Sequence, residues 1–313
     1  MMMTRLAAIV CLLLAAAAPA FARTLTAGPG QAYPDPAAAI ASARAGDVVK
    51  IAPGTYHQCA VLNAPDLTVE GEKPGVVMTG KVCQGKAILV VNGDHDILRD
   101  LTLSGAVDPD GNGAGVRAEG GSLTVDHVTF THDQDGILAA KMPDAVITIT
   151  GSRFTHDGAC VHACAHGIYI GPIRKVIVRD SVFRDIRTGH AIKSRAASTV
   201  IIHDRIMDGE RGTSSYLVDL PNGGNLLMRD DRLEKGVLSS NSATAISIGE
   251  EGNAPAHARV EISHVTFTND TGDDTAFVRN ETKVPVLIKD SALHGGGTPL
   301  VGPGRVSHTK VSD

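Results

Sequence analysis

One short motif recurs down this chain, and its spacing leaves little choice of architecture. An apolar residue, a polar corner and a second short apolar run appear as Arg99-Asp-Leu-Thr-Leu103, Val125-Asp-His-Val-Thr-Phe130, Ile149-Thr-Gly-Ser-Arg-Phe154 and Val178-Arg-Asp-Ser-Val-Phe183. The motif returns as Ile202-His-Asp-Arg-Ile206, Met228-Arg-Asp-Asp-Arg-Leu233, Ile262-Ser-His-Val-Thr-Phe267 and Ile288-Lys-Asp-Ser-Ala-Leu293. The closing apolar residues are 27, 24, 29, 23, 27, 34 and 26 positions apart. A unit this short cannot bury its apolar face alone, so such periods specify a solenoid in which neighbouring units cover one another. Gly is abundant (34 residues), Trp is absent and helix-type apolar periodicity is rare, which makes the coils all-β. At about 4.8 Å per strand, roughly ten or eleven coils stack into a rod.

Residues 1–22 read as a secretory leader: Arg5, an apolar run from Leu6 to Ala18, then Ala20-Phe-Ala22 as a small-x-small cleavage site. No later segment is long and apolar enough to span a bilayer. The whole chain carries a net charge of −5, and loss of the leader leaves 28 cations against 34 acids. That balance argues against a nucleic-acid partner. Four cysteines remain, an even number that suits disulfides in an exported chain. Cys59 and Cys83 lie about one coil apart, and Cys160 and Cys164 can close a small loop. A metal site combining these cysteines with His156, His162 and His166 is the alternative.

Residues 23–60 are expected to form a cap and first coil, and residues 61–313 the coil proper, as one domain. The stretch from Pro36 to Ala45 is Ala-rich and begins with Pro, a helix-start pattern, and a helix there would cover the open end of the stack. Gly28-Pro-Gly-Gln31, Ala38-Ala-Ile40, Gly46-Asp-Val-Val-Lys-Ile-Ala-Pro-Gly-Thr-Tyr56 and Leu67-Thr-Val-Glu-Gly71 resemble the N-terminal cap and first coil of pectin lyase-like right-handed parallel β-helix proteins. The resemblance implies three short parallel strands per coil. It reaches no particular activity, because the superfamily includes lyases, hydrolases, epimerases, esterases and coils without known activity.

A second strand of each coil aligns as Gly115-Val-Arg117, Gly136-Ile-Leu138, Gly167-Ile-Tyr-Ile170, Ala191-Ile-Lys-Ser194, Leu217-Val-Asp-Leu220, Ala245-Ile-Ser-Ile248 and Ala276-Phe-Val278. With Val116, Ile137, Ile168, Ile192, Val218, Ile246 and Phe277 inward, alternation turns Arg117, Leu138, Tyr169, Lys193, Asp219, Ser247 and Val278 outward. Arg195 shares the face of Lys193, while His166 and His190 precede their strands at matching corners. Tyr216 is expected to face inward. Phe130, Phe154, Phe183 and Phe267 are expected to form an internal aromatic stack.

Tyr169, Lys193, Arg195, His190, His166 and Asp219 are therefore the candidate catalytic residues. Arg117, Tyr216, Asn222, Glu250 and Glu251 are the candidate substrate-binding residues. Two cations, a carboxylate, a phenol and two imidazoles suit an acidic, uronate-containing polysaccharide. The cations neutralise the uronate carboxylate, and a phenol or imidazole moves the C5 proton, as lyase or C5-epimerase chemistry requires. The two longest periods carry Cys160–Cys164 and Gly249-Glu-Glu-Gly252, and insertions in solenoids collect on binding faces. The alternatives are a non-catalytic glycan-binding or envelope-structural coil, and a glycoside hydrolase using Asp219 with Glu250 or Glu251. The expectation is a secreted or periplasmic monomer. It assigns no cofactor, with calcium left open at the oxygen-rich Asp108-Pro-Asp-Gly-Asn112 and Asp133-Gln-Asp135.

Overall fold

A computed structural model describes residues 22–73, 75–252 and 255–313. The expected leader lies, but for Ala22, outside the described residues. The chain winds into a right-handed parallel β-helix of about eleven turns, with three sheets of 12, 10 and 11 strands. The 12-stranded sheet runs from Thr24–Ala27 to Gly304–Ser307. The 10-stranded sheet runs from Ala60–Leu62 to Thr298–Val301, and the 11-stranded sheet from Gly54–Tyr56 to Lys310–Ser312.

The repeat ruler holds along its whole length. Leu103, Phe130, Phe154, Phe183, Ile206, Leu233, Phe267 and Leu293 pair in one unbroken register on the 11-stranded sheet. Phe130, Phe154 and Phe183 stack with ring centroids 4.6 and 4.5 Å apart. Phe267 does not join them, because Ile206 and Leu233 intervene, and it stacks on Phe277 at 4.9 Å. The stack also explains two of the glycines that open neighbouring strands. A Cβ on Gly115 or Gly136 would sit 2.7 Å from Phe130 or Phe154. Where the stack ends, the same position becomes Ala191, Leu217 and Ala245.

The polar corner of the motif closes each turn. Its αL residue is Asp100, His127, Gly151, Asp180, His203, Asp230, His264 or Asp290, with φ between 51° and 61°, types that tolerate this conformation better than most. The next residue then serves the coil before it. Ser152 Oγ accepts from Val128 N, Asp204 Oδ1 from Ser181 N at 2.7 Å, and Asp231 Oδ1 from Asp204 N at 2.8 Å. Backbone N–H groups left without a ladder partner at the bend are thus satisfied from the coil above.

The cap helix is Pro36–Ser42, shorter than the Ala-rich stretch, with Asp35 as N-cap accepting from Ala38 N. In the 10-stranded sheet, Val116, Ile137, Ile168, Ile192, Val218 and Ile246 all point inward with no exposure. The expected outward row holds to Ser247, then departs by one residue. Ser247 pairs with Arg279, not Val278, and Val278 turns inward beside Ile246.

Candidate active site

Tyr169, Lys193 and Asp219 stand on three successive strands, Ile168–Ile170, Ile192–Ser194 and Val218–Leu220, as direct register partners. Arg195, one residue past its strand, donates Nε–H to Tyr169 Oη at 2.8 Å. Its two Nη groups clasp both oxygens of Glu251, at 2.7 and 2.9 Å, and Asn222 Oδ1 accepts a further bond from Nη1. This ion pair holds Glu251 below the usual carboxylate range and Arg195 above its ordinary value. Lys193 Nζ lies between two carboxylates, 3.5 Å from Asp219 Oδ2 and 3.7 Å from Glu251 Oε1. Asp219 is fully buried and neither oxygen has a hydrogen-bond partner. Burial pushes its carboxyl up to about 7 against the opposing pull of Lys193.

The corner before these strands is an aromatic ladder. His166 stacks on His190 at 4.8 Å, and His190 on Tyr216 at 4.9 Å. Tyr216 is therefore not turned into the core as expected. It lies half-buried at the corner, with its hydroxyl donating to Glu250 Oε2 at 2.9 Å. Corner positions escape the period-two rule because the chain bends there. His166 Nδ1 accepts from His190 N, and His190 Nδ1 accepts from Tyr216 N. A backbone N–H can only donate, so each neutral ring carries its hydrogen on Nε2. His190 Nε2 sits 3.5 Å from Asp219 Oδ2. Burial lowers both imidazoles, His190 to about 3, with Lys193 adding to the effect. Neither ring has a free lone pair with which to take a proton.

Two clefts flank Tyr169. One, of about 560 Å3, is lined by His166, His190, Lys193, Ser215 and the Cys160–Cys164 loop. The other, of about 410 Å3, is lined by Arg117, Asp135, Leu138 and residues 162–165 of that loop. Tyr169 borders both. Arg117 lies two strands away across Leu138 and is bound to Glu119, so it belongs to the second cleft rather than to the Lys193 cluster. Asn222 and the Glu250–Glu251 turn border the cluster from the next coils, with Asn222 Nδ2 donating to Gly252 O.

Both expected disulfides, Cys59–Cys83 and Cys160–Cys164, are formed. That removes the thiolates a mixed Cys/His metal site would need. At the two oxygen-rich loops the donors serve backbone: Asp108 Oδ1 accepts from Asp110 N, Gln134 Oε1 from Asp108 N and Gly113 N, and Asp135 Oδ1 from His166 N. Among the described residues no group of three or more His, Cys, Asp or Glu side chains is arranged to hold a metal ion.

Sequence reasoning missed Lys235. It is completely buried, donates to the carbonyls of Ser214 and Ser215, and lies 3.9 Å from Asp208 Oδ2. Asp208 in turn accepts from Ser214 Oγ and Gly236 N. This network fixes the corner that presents Tyr216. The signal was there, since with Leu233 inward and Glu234 outward, alternation turns Lys235 inward.

The chain folds as a right-handed parallel β-helix, and this cluster sits on one of its three sheets. Among solved structures the chain is similar to pectate lyase Pel9A, at 13% identity and TM-score 0.59, covering 92% of this chain and 78% of that one. It is also similar to ORF18 of Geobacillus virus E2, at 15% identity and TM-score 0.58, spanning 88% of this chain and 57% of the viral one. No family model matches the sequence, and no curated protein does.

Proposed function

We propose that this protein is an exported enzyme acting on an acidic, uronate-containing polysaccharide by proton transfer at C5, as a lyase or C5-epimerase. The observation that carries the reading is that Tyr169 borders both clefts, with Lys193 lining one of them and Arg195 bound to the Tyr169 oxygen. A polymer lying along both clefts crosses Tyr169. Its carboxylate then meets Lys193 and Arg195, whose charge stabilises the enolate-like state formed when the C5 proton leaves. In elimination the C5–H electrons form the C4–C5 double bond as the C4–O bond breaks, and the leaving oxygen takes a proton. In epimerisation the base keeps that proton and a second donor, water, protonates the opposite face of C5.

The hydrogen-bonding of the imidazoles narrows the proton-transfer group. His166 and His190 offer only Nε2–H, so they donate rather than accept. Tyr169 is the remaining candidate at the ridge. Arg195 holds its oxygen by donating to it; as the phenolate this oxygen takes the C5 proton, and in elimination the phenol so formed gives the proton to the leaving oxygen. Similarity in fold to a pectate lyase and two disulfides in an exported-type chain support the reading.

One observation favours a second reading. Asp219 is raised and Glu251 lowered on either side of Lys193. Carboxylates pushed apart in this way can serve as acid and base of a glycoside hydrolase.

The test is incubation with polygalacturonate, alginate and glycosaminoglycans. Elimination yields unsaturated ends that absorb in the ultraviolet, and epimerisation changes the uronate NMR signals without cleavage. Tyr169→Phe should abolish either. New reducing ends without absorbance would mean hydrolysis. Binding without turnover across the whole set would mean a non-catalytic glycan-binding coil.

A further inference from the structure

The 11-stranded sheet carries a charged feature on a different face of the coil. Its three-residue strands turn their first and third side chains outward. In the first position Arg205 pairs directly with Arg232. In the third, Arg184, Met207 and Glu234 follow one another. Like charges directly opposite on neighbouring strands are unfavourable unless something negative lies between them. Asp185 is the carboxylate that Arg184 and Arg211 reach, and neither Arg205 nor Arg232 has an ion-pair partner among the described residues. The three exposed arginines open onto a groove of about 620 Å3 that Met207, Thr268 and the two carboxylates Glu234 and Asp270 also line. Glu234, half-buried, is pushed up by burial and by Asp270, which weakens it as an internal counterion.

We propose that this groove is a second binding site, for an anionic oligosaccharide whose carboxylate or sulfate groups lie between the Arg205 and Arg232 guanidiniums. The groove crosses four successive strands, a run of roughly 14 Å at the usual strand spacing, which matches a few sugar units rather than a lone anion. Planar guanidiniums suit both carboxylate and sulfate, and Met207, between Arg184 and Glu234 in the neighbouring row, gives a sugar face an apolar surface. Such a site retains polymer on the protein independently of the reaction at Tyr169, and it stands whether or not that reaction is elimination.

The test is calorimetric binding by the full chain in an Arg195→Gln background, so that the other face does not mask the groove. The probes are a polygalacturonate oligosaccharide, a sulfated dextran oligosaccharide and a neutral malto-oligosaccharide. Arg205→Gln/Arg232→Gln should weaken binding of at least one anionic probe about tenfold, the loss of two charge-assisted contacts at an exposed site. The probe affected tells carboxylate from sulfate. Arg205→Lys/Arg232→Lys should retain part of the affinity, and thermal unfolding of each variant checks that it is folded. In the Arg195-intact chain, turnover of a short soluble substrate should not change with the groove variants, whereas Tyr169→Phe should remove it, so the two proposals fail separately. Equal affinity of the Gln variant and its parent for both anionic probes overturns the groove, as does equally tight, arginine-dependent binding of the neutral probe.

Discussion

The Arg195 guanidinium and the Glu251 carboxylate meet fork to fork, at 2.7 and 2.9 Å, across 56 residues of sequence. This is the geometry in which Arg195 would clasp a uronate carboxylate. On the proposed reading Glu251 occupies the place of the ligand group, and Lys193 Nζ lies 3.7 Å from its Oε1. The Glu251 side chain is 44% exposed, so substrate can displace it at modest cost. Glu251→Gln removes the competing charge. If Lys193 and Arg195 bind uronate, the variant should lower KM for acidic oligosaccharides several-fold with kcat little changed. If Glu251 is itself an acid or base of hydrolysis, kcat should collapse instead. Steady-state kinetics on the responsive substrate decides between them.

Asp219 supplies a pH signature. Its carboxyl titrates at about 7 because it is buried, and in its ionised form it anchors Lys193 and faces His190 Nε2–H. Protonation removes that anchor, so kcat/KM should rise with pH through about 7. Asp219→Asn should flatten the rise. Lys193→Ala should lower kcat/KM at least about a hundredfold, the scale of losing one electrostatic stabiliser of a developing anion, while circular dichroism stays unchanged. Unaltered turnover in Lys193→Ala would remove this cluster from consideration as the site.

How far the sequence reaches depends on whether alternation or chain bending controls a residue. Period-two alternation correctly turned Tyr169, Lys193 and Asp219 to one face because all three lie inside straight strands. Tyr216 lies on a bend, where the alternation does not apply, and its side chain follows the His166–His190 ladder instead. The row slipped at Val278 because the connection from Asp270 to Thr275 delivers its strand one residue out of phase, which brings Phe277 onto Phe267. The Arg195–Glu251 contact was beyond reach for another reason. It joins a strand end to an insertion two coils away, and no local periodicity encodes that distance. Lys235 was legible and went unread, since an inward lysine in an apolar row signals a buried polar network.

Stability should fall as pH rises above neutrality. Burial raises Asp133 and Asp231 to about 8 and Asp135 and Asp204 to about 7. Each binds its proton more tightly folded than unfolded, so the stability it contributes is complete below about pH 4 and is lost as pH climbs through 7–8. The buried imidazoles act oppositely, but His166 and His190 are lowered, so their effect ends above about pH 6.5. Buried Lys235, lowered to about 8, begins to oppose them only as pH passes 8, so between pH 6.5 and 8 the aspartates prevail and the melting temperature should drop by at least about 3 °C. Asp231→Asn keeps an oxygen for the Asp204 N–H and removes one titrating group, so it should make the slope shallower. A melting temperature that rises over this interval would contradict the assignment.

Phe154 is the residue on which the coil stack most directly depends. Its ring lies between Phe130 and Phe183, at 4.6 and 4.5 Å, with no exposure. The parallel backbones above and below are tied by sheet hydrogen bonds, so the site cannot collapse to fill a void. Phe154→Ala should therefore cost the full amount for a rigid core, about 3–5 kcal/mol, or about 5–8 °C in melting temperature for a chain of this size. Phe154→Leu, which keeps most of the volume but not the stacked faces, should lose less than half as much. The affected coil also carries Tyr169, and Gly136 packs against the Phe154 ring at the start of the adjoining strand. The Ala variant should then lose activity at temperatures below its own unfolding, because the strand beneath Tyr169 loses its support. Differential scanning calorimetry with parallel turnover measurements reads both effects. A drop of less than about 3 °C would mean that the stacked rings are not what holds these coils in register.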